Sequence, residues 1–327
     1  MIILHVIISS KGVSGSEKYV IDLIKHQKKF FKIFFITLKK NKKLNFFLNK
    51  ETKVFSIENY FKKFVIKRII NKLKPNIVHT HLGGAVNSVE KSLKYKVIST
   101  MHMNYKKKIY KNTDAIIVSN KSQFNEIKKT FKGKLFKSNL WLKLQKKNIN
   151  KLKLKKKLNI PKKNLVFGSI GRFHPQKGFD FLIECFQELN LKKATLVLIG
   201  NGHNEYSNLE KQNKNFKIIG HVDNVSNYYN IFDICLFASR WETFGYTLVE
   251  AMNFNLPILS TKHIGNKDWL DKFDISQFSI TKKKKFKELI KKLYISNPLK
   301  KKYDLSMFDY ENNCKAVTSI YKKILVE

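Results

Sequence analysis

The sequence predicts an α/β protein with two domains, each built on a parallel β-sheet. Short apolar runs rich in β-branched and aromatic residues alternate with amphipathic helical segments, which is typical of β-loop-α units with right-handed crossovers. This pattern starts with MIILHVII and restarts in the second half of the chain with NLVFGSIG. A chain of 327 residues is also long enough for two separate cores. We therefore expect one domain on each side of a boundary near residue 150.

The N-terminal half opens with a strand, a loop and a helix. MIILHVII predicts a buried strand, and the helix that follows places Val20, Leu23 and Ile24 on its inner face. The loop glycines Gly12 and Gly15 could bring backbone amides to a phosphate, although glycine in a loop more often serves the turn itself. KIFFITL, IVHTH, KVIST and DAIIVSN predict further strands.

Histidines lie at the ends of two of these predicted strands. His79 and His81 alternate along IVHTH, so they would share one face of the strand as a metal-ligand pair. No third ligand follows at a useful spacing, and we therefore predict no metal site. His102 directly follows KVISTM, where its imidazole could project from a crevice.

Residues 57–73, IENYFKKFVIKRIINKL, predict a basic amphipathic helix. Its apolar residues include Phe61, Phe64, Val65 and Ile69, and they alternate with basic residues. Such a helix packs its apolar face on the core or lies on an anionic membrane, and the pattern alone leaves both alternatives open.

The lysine-rich segment 143–157 predicts the connection between the domains. The C-terminal half then begins with a strand followed by Gly171, Arg172, Lys177 and Gly178. Two fixed cations in a loop at the end of a strand are suited to a diphosphate, because both can neutralise a leaving group.

The segment Ser239–Pro257, SRWETFGYTLVEAMNFNLP, predicts a strand end, a turn and a helix. Glu242 lies in the loop and Glu250 about two turns later in the helix, so both could face one crevice. Thr243 could cap this helix, and Gly245 allows close approach of a ligand to the backbone. The alternative is that two glutamates near a surface helix are simply solvated.

The net charge of +41 indicates an anionic partner or a lysine-biased composition. Only three of the 65 basic residues are arginine, and a lysine excess spread along the chain argues only weakly for a nucleic-acid binder. The three cysteines, Cys185, Cys235 and Cys314, lie far apart in apolar stretches, which indicates buried thiols in a reducing compartment. We find no signal peptide or transmembrane span, so we expect a cytoplasmic protein, peripheral on the inner face of the cytoplasmic membrane if it binds one.

Several motifs in one order resemble those of the group 1, or family 4, retaining glycosyltransferases of the GT-B fold. GRFHPQKGFDFLIECF is similar to that family's G-R-x-x-x-x-K-G loop, and ETFGYTLVEAMNFNLPIL to its E-x7-E helix. LVLIGNGH and IIGHVDNVSNYYNIFDICLFAS resemble the segments between them, whereas the N-terminal half is similar only through SGSEKYVIDL, IVHTHL, STMH and DAIIVSN. The resemblance implies two Rossmann-like domains whose parallel sheets face a central cleft.

The resemblance also implies roles for the charged residues of the C-terminal half. Arg172 and Lys177 would bind the diphosphate of a nucleotide-sugar donor. Glu250 would bind the hydroxyls of the nucleotide ribose, and Glu242 would be catalytic, close to the donor sugar.

Further positions follow from the same resemblance. The backbone amides of Phe244 and Gly245 would reach the phosphates. The family's early glycine pair falls on Ser14 and Gly15, so that serine replaces its first glycine and Gly15 keeps the diphosphate-binding role. The family's strand-end histidine falls on His102, which would contact the donor sugar and take part in catalysis.

The expected architecture has three parts. Residues 1–150 would form the acceptor-side domain, residues 151–305 the donor domain, and residues 306–327 a helix that packs back towards the N-terminal domain. The family usually has glycine before its L-P pair, where this chain has Asn255. Asparagine is the next-best residue for a left-handed helix end.

The implied activity is transfer of a hexose-type sugar from a nucleotide-diphosphate donor to a hydroxyl acceptor with retention of configuration. A metal or other cofactor is not expected, and the partners would be the donor, a glycan or lipid-linked acceptor in surface polysaccharide, lipopolysaccharide or glycolipid assembly, and an anionic membrane surface. The alternatives are a non-catalytic nucleotide-sugar-binding protein of the same fold and a basic nucleic-acid-binding protein, although nucleic acid is not an expected partner.

Overall fold

The structure is a computed structural model that describes residues 1–9, 12–143, 149–202, 206 and 208–326. The chain divides into two compact units. Unit 1 consists of Met1–Trp141 together with Ser306–Glu327, and unit 2 of Leu142–Leu305. The predicted connection over 143–157 includes residues 144–148, which lie outside the described residues.

Strands and helices alternate through most of both units. In chain order the elements are β1 (Ile2–Ile7), α1 (Gly15–Gln27), β2 (Lys32–Leu38), α2 (Lys42–Asn49), β3 (Lys53–Ile57), α3 (Lys62–Leu73), β4 (Ile77–His81), α4 (Gly83–Val86), β5 (Lys96–Thr100), β6 (Ala115–Val118), α5 (Lys121–Lys128), β7 (Lys134–Lys137), α6 (Lys151–Lys157), β8 (Leu165–Ile170), α7 (Phe179–Leu189), β9 (Ala194–Ile199), α8 (Leu209–Gln212), β10 (Phe216–Ile219), α9 (Ser226–Tyr229), β11 (Ile234–Phe237), α10 (Tyr246–Asn253), β12 (Ile258–Thr261), α11 (Lys267–Lys272), β13 (Ser276–Phe278), α12 (Lys283–Ser296) and α13 (Tyr310–Val326).

Unit 1 contains a parallel sheet of seven strands in the spatial order β3-β2-β1-β4-β5-β6-β7. The inner strands β4, β5 and β6 are buried almost throughout, although β4 and β5 carry histidine, threonine and serine side chains. The C-terminal helix α13 packs on α1, and the Tyr310 hydroxyl donates to the backbone carbonyl of Asp22 at 2.9 Å.

Unit 2 contains a parallel sheet of six strands in the order β10-β9-β8-β11-β12-β13. Numbered from the first strand of the unit, this is the 3-2-1-4-5-6 order of a doubly wound Rossmann-like sheet. The inner face of α7 carries Phe181, Leu182, Cys185 and Phe186, which lie in the core as the periodicity predicts. The predicted α/β fold with two Rossmann-like parallel sheets is confirmed.

The basic amphipathic segment 57–73 is shorter as a helix than predicted, because β3 includes Ile57 and α3 begins at Lys62. Its core contact is made by Ile66 and Ile70, which are buried. Phe61 and Phe64 are instead 75% and 67% exposed. The helix therefore packs on the core with one face and leaves aromatic side chains in solvent on another.

The three cysteines are buried free thiols, as expected. No helix in the described part of the chain combines the length and the apolar character needed to cross a membrane.

Candidate active site

The strand order of unit 2 reverses between β8 and β11, so the loops that follow these two strands leave adjacent carboxyl ends of the sheet. In doubly wound sheets, the crevice at this point binds ligands. The loop after β8 covers residues 171–178 and the loop after β11 covers 238–245. The topology thus brings together Arg172, Lys177 and Glu242, which the sequence singled out separately.

An ion pair joins the two loops. The Lys177 ammonium lies 2.7 Å from a carboxylate oxygen of Glu242, and the two side chains are only 17% and 12% exposed. Burial alone would raise the pKa of Glu242, but Lys177 and the backbone N–H groups of Thr243 and Phe244 together hold it below its ordinary value. Glu242 is therefore an anion at neutral pH, which suits electrostatic stabilisation or positioning rather than proton donation.

Gln176 and Arg172 add hydrogen bonds to this arrangement. The exposed Arg172 guanidinium donates to the Gln176 side-chain carbonyl at 3.2 Å, and the Gln176 amide donates to the Trp241 carbonyl at 3.2 Å. Sequence reasoning missed Gln176, because a glutamine inside a glycine-rich loop has no distinctive spacing. Its position fixes the Arg172 guanidinium close to the second loop.

A second ion pair, between Arg240 and Asp180, also connects these two parts of the chain. Arg240 makes a bidentate pair with Asp180 at 2.9 and 2.6 Å. The backbone N–H of Arg240 also donates to the backbone carbonyl of Gln176 at 2.7 Å. The planar guanidinium matches a carboxylate geometrically, and the pair ties the start of α7 to the end of β11.

Glycine is required where the loops approach each other. Gly178 has φ +64°, and a Cβ atom there would lie 2.1 Å from the Ala238 carbonyl oxygen. Any side chain would separate the loops, so the G in the family-like K-G pair has a steric cause.

The second loop leads into α10. Gly245, with φ +87°, occupies the N-cap position and has no side chain to cap the helix, so the predicted cap at Thr243 is wrong. The buried Phe244 packs edge-on against Trp269 and holds the turn on the core. Helix α10 thus begins directly after the Phe244–Gly245 turn, and the backbone N–H groups at its N-terminus lie close in sequence to Glu242.

Glu250 lies one turn into α10, and a residue far away in sequence orients it. The buried Tyr229 hydroxyl lies 2.9 Å from the Glu250 carboxylate and 3.1 Å from the Thr247 carbonyl. Burial, followed by the negative charge of Glu250, raises the pKa of Tyr229, so its hydroxyl stays protonated and donates. Tyr229 was not predicted, because its 21-residue separation from Glu250 reflects sheet topology rather than local pattern.

In unit 1, the residues aligned with the family's glycine pair lie at the start of α1. Ser14 is the N-cap, and its backbone N–H and hydroxyl both donate to the Glu17 carboxylate, at 3.1 Å for the backbone group. Gly15 is the first residue of the helix. Serine at this position therefore contributes a capping contact that glycine would lack.

His102 lies after β5, beside three other histidines from β1 and β4. Its Nε2 is 3.3 Å from Nδ1 of His81, and Nε2 of His81 is 3.1 Å from Nδ1 of His5. His79 lies next to them, hydrogen-bonded to the Tyr321 hydroxyl and to Thr100.

His5, His79 and His81 are fully buried, and His102 is partly exposed. Burial lowers the pKa of His5 and of His102 to about 4 in each case. It also lowers the pKa values of His79 and His81 well below the ordinary range, with a further decrease from neighbouring histidines. These groups are therefore neutral at pH 7.

Three of these histidines could also be considered as metal ligands. Ring nitrogens of His5, His79 and His81 all lie within 4.8 Å of one another. The sequence analysis paired only His79 and His81, because no third ligand follows them at a useful spacing. His5 is opposite His79 in the β1–β4 register, which strand pairing alone brings about.

The sequence of unit 2 matches a family model. Residues 150–305, just under half of the chain, match the model described as "Glycosyl transferases group 1". This segment includes the loops after β8 and β11, so the match falls on the part of the chain that holds Arg172, Lys177, Glu242 and Glu250.

Two curated relatives are similar over part of their length. One is an uncharacterized 41.2 kDa protein in the cps region of Klebsiella pneumoniae, 31% identical over 51% of this chain and 52% of its own length. Another is the capsular polysaccharide biosynthesis glycosyltransferase CapM of Staphylococcus aureus, 30% identical over 46% of this chain and 41% of its own. The chain spans about half the length of the curated relatives it matches.

A solved structure is similar over the whole chain. The HepE protein of Anabaena, in a crystal structure with UDP and glucose, superposes with a TM-score of 0.76 and covers 99% of this chain and 98% of its own at 15% identity. This likeness shows the GT-B glycosyltransferase fold.

Proposed function

We propose that the protein transfers a sugar from a nucleotide-diphosphate donor to a hydroxyl acceptor with retention of configuration, in assembly of a surface polysaccharide, lipopolysaccharide or glycolipid. The observation that carries the proposal is the Lys177–Glu242 pair at 2.7 Å. It joins the loops after β8 (residues 171–178) and β11 (residues 238–245), which we call the switch-point loops, and both lie inside the segment that matches the family model. This cation and carboxylate lie in the loops that precede α7 and α10, and a cation, a carboxylate and a helix N-terminus together suit a nucleotide sugar.

In the proposed mechanism, charge on the departing diphosphate is neutralised by fixed protein groups. Arg172 and Lys177 bind the diphosphate, aided by the amides of Phe244 and Gly245. The family resemblance gives the amide of Gly15 a diphosphate-binding role as well. No metal is required for this step, because the cations and the α10 N-terminus supply the positive field.

The remaining roles concern the nucleoside and the sugar. Glu250, oriented by Tyr229, accepts hydrogen bonds from the ribose hydroxyls. Glu242 is held as an anion close to the sugar. His102 contacts the donor sugar, a role that rests on the family resemblance.

A panel of UDP-, GDP- and ADP-sugars with hydroxyl acceptors, followed by mass detection of glycosylated product, tests this proposal. We expect turnover with at least one donor and an unchanged anomeric configuration in the product. If the protein binds a nucleotide sugar but forms no product with any donor and acceptor, it is a non-catalytic binder. Salt-sensitive nucleic-acid binding that survives Glu250→Ala, without sugar transfer, would identify the nucleic-acid alternative.

We further propose that α3 docks on an anionic membrane that carries the acceptor. Tyr60, Phe61 and Phe64 expose their rings at the start of this helix, next to Lys62 and Lys63. Aromatic side chains beside lysines suit the interface of an anionic bilayer.

A further inference from the structure

Three histidines of unit 1 form one hydrogen-bonded chain that ends at His102. The Gln27 side-chain oxygen lies 3.0 Å from Nε2 of His5. His5 and His81 are linked at 3.1 Å, and His81 and His102 at 3.3 Å. The two inner members, His5 and His81, are 0% exposed.

The series of hydrogen bonds has a direction, because the Gln27 oxygen at its start can only accept. The Gln27 carbonyl oxygen has no proton, so the proton of neutral His5 must be on Nε2. Its Nδ1 then accepts, which requires a proton on Nε2 of His81. By the same step, Nδ1 of His81 accepts from Nε2 of His102.

We infer that His5 and His81 are positioning residues that hold the imidazole of His102 in the tautomer protonated on Nε2 and unprotonated on Nδ1. This inference rests on the proposed function for its catalytic meaning, in which His102 contacts the donor sugar. A group that approaches an unprotonated Nδ1 must donate a hydrogen bond, as a sugar hydroxyl does. In the proposed function, a hydroxyl of the donor sugar is the group that donates to this imidazole.

The hydrogen-bonded chain accounts for the histidine cluster better than a bound metal ion does. A metal between His5 and His81 would need a lone pair on each of the two nitrogens that now share a proton at 3.1 Å. His79 already bonds to Tyr321 and Thr100. Every link in the chain satisfies a buried polar atom without placing an unpaired charge in a water-free site.

The tautomer can be observed directly in the full-length protein. Labelling the nine histidines with ¹⁵N and recording two-bond ¹⁵N–¹H correlations should give His102 an unprotonated Nδ1 and a protonated Nε2 at pH 7.5. In His81→Leu the link to His102 is lost, and its two nitrogen signals should move towards the average of both tautomers. The matched control, His79→Leu, removes an equally buried imidazole from the same strand and should leave the His102 signals unchanged.

Kinetics test the catalytic consequence. We expect kcat for sugar transfer to decrease about 10-fold or more in His81→Leu and less than about 2-fold in His79→Leu. If His81→Leu does not fold, Gln27→Leu breaks the chain at its other end and should also mix the His102 tautomers.

The inference would be overturned if the ¹⁵N signals of His102 were unchanged in folded His81→Leu or, where that variant does not fold, in Gln27→Leu. A proton on Nδ1 in the wild type, or about one zinc ion per chain in the purified protein, would also overturn it. A wild-type protein with the expected tautomer but no turnover of any donor would leave the positioning chain intact and reject the proposed transferase.

Discussion

Lys177 and Glu242 form an ion pair between the switch-point loops of unit 2, and both side chains are largely buried. Their ion pair keeps an anion and a cation available in a site with little water, where each alone would be costly. A diphosphate that approaches Lys177 therefore meets a cation whose position is already fixed. Preorganised charge of this kind avoids reorganisation during bond cleavage.

Breaking this pair has a predictable effect on stability. In Lys177→Met the Glu242 carboxylate loses its cation, so we expect its pKa to rise and the free energy of unfolding to fall by about 2–3 kcal/mol at pH 7. Donor affinity should also fall by about 10-fold or more. Urea unfolding and calorimetric titration with the best donor measure the two effects.

The matched control is Lys262→Met, which breaks the pair between Lys262 and Asp271 at 2.8 Å, whose side chains are 44% and 54% exposed. An exposed pair contributes about 0–1 kcal/mol, so this variant should differ little from the wild type. Equal losses in the two variants would contradict a special role for the Lys177–Glu242 contact.

At the scale of single elements, α10 begins and ends with residues in the left-handed region. Gly245 precedes the helix at φ +87°, and Asn255 follows it at φ +59°. The backbone carbonyl of Asn255 accepts from the backbone N–H of Lys301 at 2.8 Å. Asparagine is thus compatible with a helix end where the related family usually has glycine.

Two substitutions at Asn255 separate backbone conformation from side-chain identity. Asn255→Gly should leave the free energy of unfolding within about 0.5 kcal/mol of the wild type, because glycine adopts positive φ without strain. Asn255→Ala should lower it by about 1–2 kcal/mol, because a Cβ is disfavoured there. Urea unfolding of both variants checks this, and an equal effect of Gly and Ala would show that the backbone conformation is not what limits this position.

The helix α3 supplies the test of membrane docking. Wild-type protein should co-sediment with anionic vesicles and far less with neutral ones, and added salt should weaken the binding. Phe61→Ser combined with Phe64→Ser should reduce the bound fraction several-fold by removing apolar insertion.

Leu299→Ser is the matched control, because this side chain of unit 2 is 90% exposed but lies outside α3. It should bind vesicles as the wild type does. Equal binding to neutral and anionic vesicles would contradict an electrostatic contribution from the lysines.

For the whole molecule, local sequence predicted the features that depend on short spacing. The alternation of elements, the paired parallel sheets and the location of Glu250 inside a helix all follow from patterns within about 20 residues. Sequence did not predict His5 beside His79, because the contact spans the β1–β4 register. The sequence also did not predict the hydrogen bond between Tyr229 and Glu250. It predicted Thr243 as the cap of α10, whereas Gly245, in the left-handed conformation, occupies the N-cap position.

The buried histidines give the whole of unit 1 a defined response to acid. The folded-state pKa values of His5 and His102 are about 4, whereas an unfolded histidine has a pKa of about 6.5. Between these values the unfolded chain binds protons that the folded unit excludes. Their contribution to stability is therefore fully present above pH 6.5 and is lost as the pH falls towards 4.

Each such histidine should lower the free energy of unfolding by about 1.4 kcal/mol per pH unit within that window. Hydrogen exchange at the amides of β1 and β4, corrected for the intrinsic rate, reports this quantity for unit 1 without requiring both units to unfold together. In His5→Leu the dependence on pH should be shallower by about 1.4 kcal/mol per unit between pH 6 and 4.5. An unaltered slope would mean that His5 binds its proton equally well in the folded and unfolded states, and that burial in this cluster does not keep its imidazole neutral.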